Sequence, residues 1–163
     1  MQNKIVRKIA YGALLLALDV LLTRVLAINT PVMKIGLGFI AVALSGALFG
    51  PVWAGILAAM GDVLGSFLFP TGAYFPLFTV TAALTGVLFG LLLKKYTVKR
   101  AVIAAVVNSV IISYFMNSYL ISMISGTTYR EMLVARALQL AVMLVLQITV
   151  LTTILPKIVQ KIS

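Results

Sequence analysis

The chain alternates long apolar runs with short polar breaks. Residues 35–93 contain one charged side chain, Asp62, and residues 101–129 and 137–156 contain none. A helix of about 20 predominantly apolar residues is long enough to cross the hydrocarbon layer of a membrane. The pattern therefore predicts a membrane protein built from helices rather than a soluble helical bundle.

Proline and polar clusters divide these runs into six predicted transmembrane helices. Pro31, Pro51, Pro70, Pro76 and Pro156 mark helix boundaries, because proline lacks the backbone N–H and disfavours a helical residue before it. Residues 28–34 are predicted to be a loop, and the last helix is predicted to close at Pro156. We expect a single all-α bundle formed by residues 1–163. The predicted helices are approximately 5–27, 35–49, 52–69, 78–93, 101–124 and 132–155.

Positive charge predicts the orientation of this bundle. Nine Lys and Arg residues lie at one set of predicted helix ends and four at the other. Cytoplasmic loops are enriched in these residues, so both termini are expected in the cytoplasm. We find no signal-peptide cleavage pattern in the first helix, whose apolar run is too long for that role. The nine are Lys4, Arg7, Lys8, Lys94, Lys95, Lys99, Arg100, Lys157 and Lys161, and the four are Arg24, Lys34, Arg130 and Arg136.

Composition argues against catalysis. The chain contains no Cys, no His and only three acidic residues. Thiol nucleophiles, imidazole bases and the usual zinc ligands are therefore absent. Three acidic residues also leave few carboxylate pairs that could act as general acid and base. We expect no enzyme activity, no metal and no cofactor. The net charge of +10 does not predict nucleic-acid binding, because the cations lie at helix ends.

Four charged residues are predicted in the outer half of the bundle: Asp19, Arg24, Asp62 and Arg136. Asp62 lies seven residues before Phe69, where the break at Phe69-Pro70 begins, about 10 Å below the end of its helix at 1.5 Å per residue. Charge inside a membrane is costly and usually functional. These residues predict an outward-facing polar pocket; the alternative is a buried ion pair of Asp62 with an arginine that fixes helix packing.

Further polar candidates lie nearby. Asn117 and Gln139 are predicted to face the pocket, although such side chains also join helices by ordinary hydrogen bonds. Lys34 and Arg130 lie near the rim, where simple solvation is the alternative. A pocket with few polar groups and aromatic walls suits a planar heteroaromatic ligand. A carboxylate accepts two parallel hydrogen bonds from an amino-pyrimidine edge, and arginine suits a ligand carboxylate.

The segment "FPTGAYFP", residues 69–76, interrupts the apolar pattern just above Asp62. Irregular backbone at membrane depth is tolerated only where protein or water covers it. We interpret the segment as a pocket wall or lid. The alternative is that its aromatic residues are anchors at the membrane interface. The candidate residues of this wall are Thr71, Gly72, Tyr74, Phe75 and Phe78.

The motifs "FGPVWAG" and "GDVLGSFLFPTGAYFPLFTVTAALTG", with a late helix carrying Arg136, resemble the substrate-binding S components of energy-coupling factor (ECF) vitamin transporters. The resemblance is greatest to the folate-binding members. It implies a six-helix fold, a prokaryotic cytoplasmic membrane, and partnership with a transmembrane coupling subunit and two ATPases. Ala13 and Ala17, at small-xxx-small spacing, match the family's contact motif for the coupling subunit.

The same resemblance implies that the protein binds folate outside the cell and topples in the membrane during uptake. Asp62 and Arg24 are then expected at the pterin end, and Arg136 at a carboxylate or ring edge. Lys34 and Arg130 are expected to steer the glutamate tail. The alternatives are another vitamin, such as pantothenate or riboflavin, on the same scaffold, or a self-sufficient secondary transporter, which would need a coupling-ion site.

Overall fold

Helices form nearly all of the structure, a computed structural model that describes residues 2–30, 34–70 and 74–162. Two π-helical segments, Leu21–Val25 and Val107–Met116, continue α1 and join α5 to α6. The prediction of a helical fold of the membrane type is confirmed. The helices are α1 (Gln2–Val20), α2 (Phe39–Phe49), α3 (Pro51–Leu68), α4 (Pro76–Leu93), α5 (Val98–Val106), α6 (Asn117–Ser125), α7 (Tyr129–Thr153) and α8 (Leu155–Ile162).

The connection between α1 and α2 contains a small sheet. Strand β1 (Ile28–Asn29) pairs antiparallel with β2 (Lys34–Ile35). The prediction of a plain loop over residues 28–34 was therefore wrong at 28–29 and 34, and that of a helix from residue 35 was wrong as well; residues 31–33 lie outside the described residues. Because the backbone at 34–35 pairs with β1, the second helix begins only at Phe39.

Glycines bring α2, α3 and α4 into close contact. A Cβ atom at Gly86 of α4 would collide with the carbonyl of Ala54 in α3, and one at Gly90 would collide with Pro51. A Cβ at Gly46 of α2 would lie 2.8 Å from the backbone nitrogen of Gly90. Small residues allow helix backbones to approach in this way. These three helices therefore form a rigid unit in which backbone meets backbone.

The last two helical stretches are long. Val98–Ser125 forms one continuous 28-residue helix through its π segment. The stretch from Tyr129 does not close at Pro156 as predicted: α7 ends at Thr153 and α8 follows at once. Pro156 lies in the first turn of α8, where a missing N–H leaves no intrahelical bond unmade.

Among the described residues, four helices are long and apolar enough to cross a membrane: Pro51–Leu68, Pro76–Leu93, Val98–Ser125 and Tyr129–Lys161. Helix α2 has 11 residues and is shorter than a typical span. A multi-pass membrane protein is consistent with these lengths. The count of six spans and the cytoplasmic position of both termini stay predictions.

The bundle has a packed half and an open half. The fully buried side chains Phe89, Leu93, Leu151 and Leu155 lie near the α4–α5 connection and the α7–α8 junction. Tyr96 of that connection donates a hydrogen bond to the carbonyl of Leu151 at 3.1 Å. Exposed cations surround this end, namely Arg7, Lys8, Lys94, Lys95, Lys99, Arg100, Lys157 and Lys161. The polar cavity described below occupies the other half.

We predict that Gly86→Ala destabilises the protein, because its new methyl group would collide with the backbone of α3. Overpacking typically costs about 1–3 kcal/mol, and the thermal midpoint of the detergent-purified protein should fall by several degrees. Gly12→Ala is the matched control, because its Cβ would meet only Leu57 at an ordinary 3.7 Å. Equal midpoints for the two variants would contradict the close packing of α3 on α4.

Candidate binding cavity

A cavity of about 770 Å³ opens in the half of the bundle away from the exposed cations. Its wall includes residues of two connections, Lys34 and Gly36 before α2 and Tyr74 and Phe75 before α4, and also Ser125, the last residue of α6. Cavities of roughly 300–1,000 Å³ are typical of small-molecule sites. The volume and the mixture of polar and aromatic walls suit a small organic ligand.

An ion pair joins α1 to α3 at the cavity wall. Arg24 Nη2 lies 3.1 Å from Asp62 Oδ1 and donates a 2.8 Å hydrogen bond to Ser66 Oγ. Thr79 of α4 donates to the other carboxylate oxygen, Asp62 Oδ2, at 2.8 Å, and its hydroxyl lies 2.9 Å from that of Tyr74. The network therefore holds α1, α3 and α4 together around Asp62.

The π turn at Leu21–Val25 is part of this arrangement. A π turn inserts an extra residue per turn and rotates the side chains that follow. Thr23 and Arg24 both lie in this turn and both line the cavity. The second π segment likewise contributes Asn108, Ile112 and Ser113 to the wall.

A second polar group is centred on α7. Arg136, only 3% exposed, donates from Nε to Gln139 Oε1 at 3.1 Å and from Nη1 to Ser118 Oγ at 3.0 Å. Gln139 Oε1 also accepts the backbone N–H of Lys34 at 3.1 Å. Gln139 therefore connects the buried guanidinium to the hairpin at the cavity mouth.

The cavity continues inward to a neutral polar floor. Asn108 Nδ2 donates to Gln147 Oε1 at 3.1 Å, and Thr85 Oγ1 donates to Asn108 Oδ1 at 2.9 Å. Gln147 lies eleven residues after Arg136, about 16 Å along the helix axis at 1.5 Å per residue. The cavity is therefore deep, with charged groups near its mouth and amides at its floor.

Aromatic side chains and one open acceptor complete the wall. Phe75 and Phe78 pack edge to face with their ring centroids 6.1 Å apart. Asn117 Oδ1 is buried and has no hydrogen-bond partner among the described residues. A buried acceptor without a partner is unfavourable, so Asn117 is suited to receive a hydrogen bond from a ligand.

Lys34 brings a titratable cation to the mouth. Burial lowers the pKa of its ammonium group to about 8, and the neighbouring positive charge of Arg24 acts in the same direction. Desolvation disfavours the charged form of a lysine, which explains the sign. Lys34 is therefore still a cation at neutral pH but loses its charge within an accessible pH range.

The structure brings the predicted site residues together. Nine of them line the cavity, whereas Thr71 and Gly72 lie outside the described residues. Arg130 is exposed in the first turn of α7 and is not part of the wall. Ala13 and Ala17 are exposed on the outer surface of α1. The nine are Arg24, Lys34, Asp62, Tyr74, Phe75, Phe78, Asn117, Arg136 and Gln139. That these residues bind a ligand stays a prediction.

Several residues of the cavity wall are not among the site residues predicted from the sequence. Gln147 could have been found, since residues 136, 139, 143 and 147 follow the three- and four-residue spacing of one helix face. Asn108 is not singled out by the sequence, because asparagine side chains also join membrane helices by ordinary hydrogen bonds. Thr23, Ser66 and Thr85 give no signal, because Ser and Thr are common in membrane helices. Asp19 stands out as an acid in an apolar run but is not assigned to the site.

Residues 3–161 match the family model described as "ECF-type riboflavin transporter, S component". The folate transporter FolT of Clostridium novyi (strain NT) is 39% identical over 142 residues, which are 86% of this chain and 83% of that protein. FolT of Leuconostoc mesenteroides subsp. mesenteroides is 32% identical over 90 residues, 55% of this chain and 48% of that protein.

Solved structures of S components are also similar to this chain. A crystal structure of FolT bound with folic acid superposes with a TM-score of 0.86 at 32% identity, covering 93% of this chain and 95% of that one. The S component for biotin of an ECF-type ABC transporter superposes with a TM-score of 0.71 at 17% identity, covering 93% and 92%. The second likeness concerns the fold alone.

We predict that Gln139→Leu frees the hairpin at the cavity mouth, because Gln139 Oε1 accepts the Lys34 amide hydrogen. A hydrogen bond worth about 0.5–1.5 kcal/mol corresponds to roughly two- to twelvefold faster exchange of that amide. Hydrogen–deuterium exchange of the peptide around Lys34 measures this. Gln160→Leu, on the exposed face of α8, is the control. Unchanged exchange at Lys34 in Gln139→Leu would mean that the bond does not hold the hairpin.

Proposed function

Because this chain belongs to the family of S components of ECF-type transporters, we propose that it is the membrane-embedded folate-binding subunit of an ECF-type importer. The family is one of transporter subunits and not of enzymes. The observation that carries the proposal is the deep cavity, with cations at its mouth and amides at its floor, in a chain similar to FolT.

Folate suits this cavity for chemical reasons. It combines a flat pterin ring, rich in hydrogen-bonding edges, with a glutamate tail that carries two carboxylates. Edge-to-face aromatic walls such as Phe75 and Phe78 accommodate a planar ring. Arginine recognises carboxylates with parallel hydrogen bonds, and a buried lysine attracts them by charge.

We assign roles on this basis. Asp62 and Arg24 belong to the recognition of the pterin end, and Tyr74, Phe75 and Phe78 stack on the ring or cap it. The buried guanidinium of Arg136 contacts a carboxylate or a ring edge, held in place by Gln139 and Ser118.

Lys34 attracts the glutamate tail. Thr71 and Gly72 belong to the same wall, and Asn117 offers its open acceptor. Arg130, exposed beyond the wall, contributes at most long-range attraction.

The exposed alanines of α1 are consistent with a binding surface for a partner subunit. Ala13 and Ala17 are exposed and one turn apart, so another helix can approach the α1 backbone closely there. We propose that a transmembrane coupling subunit docks on this face and joins the protein to two ATPases in the cytoplasmic membrane of a prokaryote. The S component then captures folate outside and topples in the membrane as ATP is hydrolysed.

The first test is calorimetric titration of the purified protein in detergent with folate, pantothenate and riboflavin. We expect folate to bind most tightly. Asp62→Asn and Arg136→Ala should each weaken folate binding roughly 10- to 150-fold, the range of a lost hydrogen bond to a charged group at about 1.5–3 kcal/mol. Gln160→Leu should bind folate like the wild type.

Tight binding of riboflavin or pantothenate instead of folate would keep the family and change the substrate. Folded protein that binds no vitamin would overturn the proposal. Ion-dependent uptake of a substrate by the protein alone, in liposomes without ATP, would favour a secondary transporter.

Folate affinity should also depend on pH through Lys34. The ammonium attracts the glutamate carboxylates only while protonated, and its pKa is lowered to about 8 by burial. Affinity is therefore highest below pH 8 and falls as the pH rises through 8 to 9. In Lys34→Met, affinity should be lower at pH 7 and the part of the pH dependence due to lysine should disappear. The same pH profile in both proteins would exclude this role.

A further inference from the structure

Asp19 is a buried acid that the proposed roles leave unused. It is 9% exposed and forms part of the cavity wall. Thr23 donates to its Oδ1 at 3.0 Å, whereas no described group donates a hydrogen bond to Oδ2. No described Lys or Arg lies within ion-pair distance of this carboxylate. A carboxylate oxygen at the cavity wall that accepts no hydrogen bond from a described group is available to a ligand.

Asp62, the acid that stands out in the sequence, is in the opposite situation. Its Oδ1 accepts from Arg24 and its Oδ2 from Thr79. Its charge is neutralised by a guanidinium 3.1 Å away. A neutralised and occupied carboxylate is a weaker acceptor for a ligand than one whose charge is uncompensated.

Two glycines make room for the Asp19 carboxylate. A Cβ at Gly61 of α3 would collide with Asp19 Oδ2, and a Cβ at Gly38 would collide with Thr23 and lie 3.1 Å from Asp19 Oδ1. Gly61 and Gly38 also line the cavity. The carboxylate therefore lies in a notch at the cavity wall, with Oδ2 against Gly61, the residue that precedes Asp62 in sequence.

We propose that Asp19 is the specificity-determining acid of this site and accepts the N–H groups of an amino-pyrimidine edge, through Oδ2 and the remaining lone pair of Oδ1. In folate that edge consists of the 2-amino group and the N3–H of the pterin. The assignment rests on the proposed folate-binding function. Asp62 then serves the pterin end indirectly, by holding Arg24 in the wall.

The test compares folate with an analogue in which the 2-amino group is replaced by methyl. The wild type should prefer folate by roughly 10-fold or more, the scale of one hydrogen bond to a charged group. In Asp19→Ala the two ligands should bind with nearly equal affinity. Asp19→Asn, which retains a neutral acceptor, should show an intermediate preference.

Gly61→Ala is an independent route to the same carboxylate. Its methyl group would occupy the position of Asp19 Oδ2 without removing the charge, so the preference for folate should again shrink. Glu131→Gln is the matched control. It removes one negative charge at an exposed position in the first turn of α7 and should keep the full preference. Thermal melting identifies any variant that does not fold.

The outcomes separate this inference from the proposed function. Wild-type protein that does not bind folate overturns both. Wild-type protein that binds folate and the analogue equally, or Asp19→Ala and Gly61→Ala variants that lose affinity for both ligands by the same factor, overturns the inference alone. In the latter case Asp19 acts only by positioning Thr23 and its π turn.

Discussion

Charge is costly inside an apolar bundle, and the rest of the structure depends on how the charged side chains of the cavity wall are partnered. The Arg24–Asp62 pair draws on three helices, since Ser66 and Thr79 add hydrogen bonds to the two charged groups. Arg136 is compensated by neutral oxygens of Gln139 and Ser118. Breaking a buried pair is costly because it leaves an uncompensated charge. The polar wall is therefore structural even before a ligand is considered.

Close packing in one half of the bundle permits an open cavity in the other. Helices α2, α3 and α4 meet through glycines, and large side chains such as Phe89 and Leu151 fill the cation-rich end. This rigid base leaves the connections before α2 and α4 to line the cavity mouth, where Lys34, Tyr74 and Phe75 lie. A binding subunit needs such a division, because a preformed cavity avoids the cost of ordering its wall upon binding.

The proposed folate site combines three kinds of group along one deep cavity. Cations lie at the mouth, amides lie at the floor, and Asp19 lies in a notch between Gly38 and Gly61. Charge compensation distinguishes the two acids of the wall. Both carboxylate oxygens of Asp62 accept hydrogen bonds from the protein itself, whereas Oδ2 of Asp19 accepts none from a described group. Partnered groups fix the shape of a site, and groups left open define what it recognises.

The sequence by itself determined the helical membrane fold and most of the candidate site. Long uncharged runs are the lengths that cross a membrane, and a charge isolated within such a run is too costly to keep without a role. The block around Asp62 also indicated the family. The β hairpin, the extra helix after Pro156, the cavity floor and the open oxygen of Asp19 were decided only by the tertiary structure. They depend on contacts between residues distant in sequence, such as Asn108 with Gln147, and on π turns that rotate side chains. A residue's type is local, whereas its hydrogen-bond partner is decided only when the helices pack.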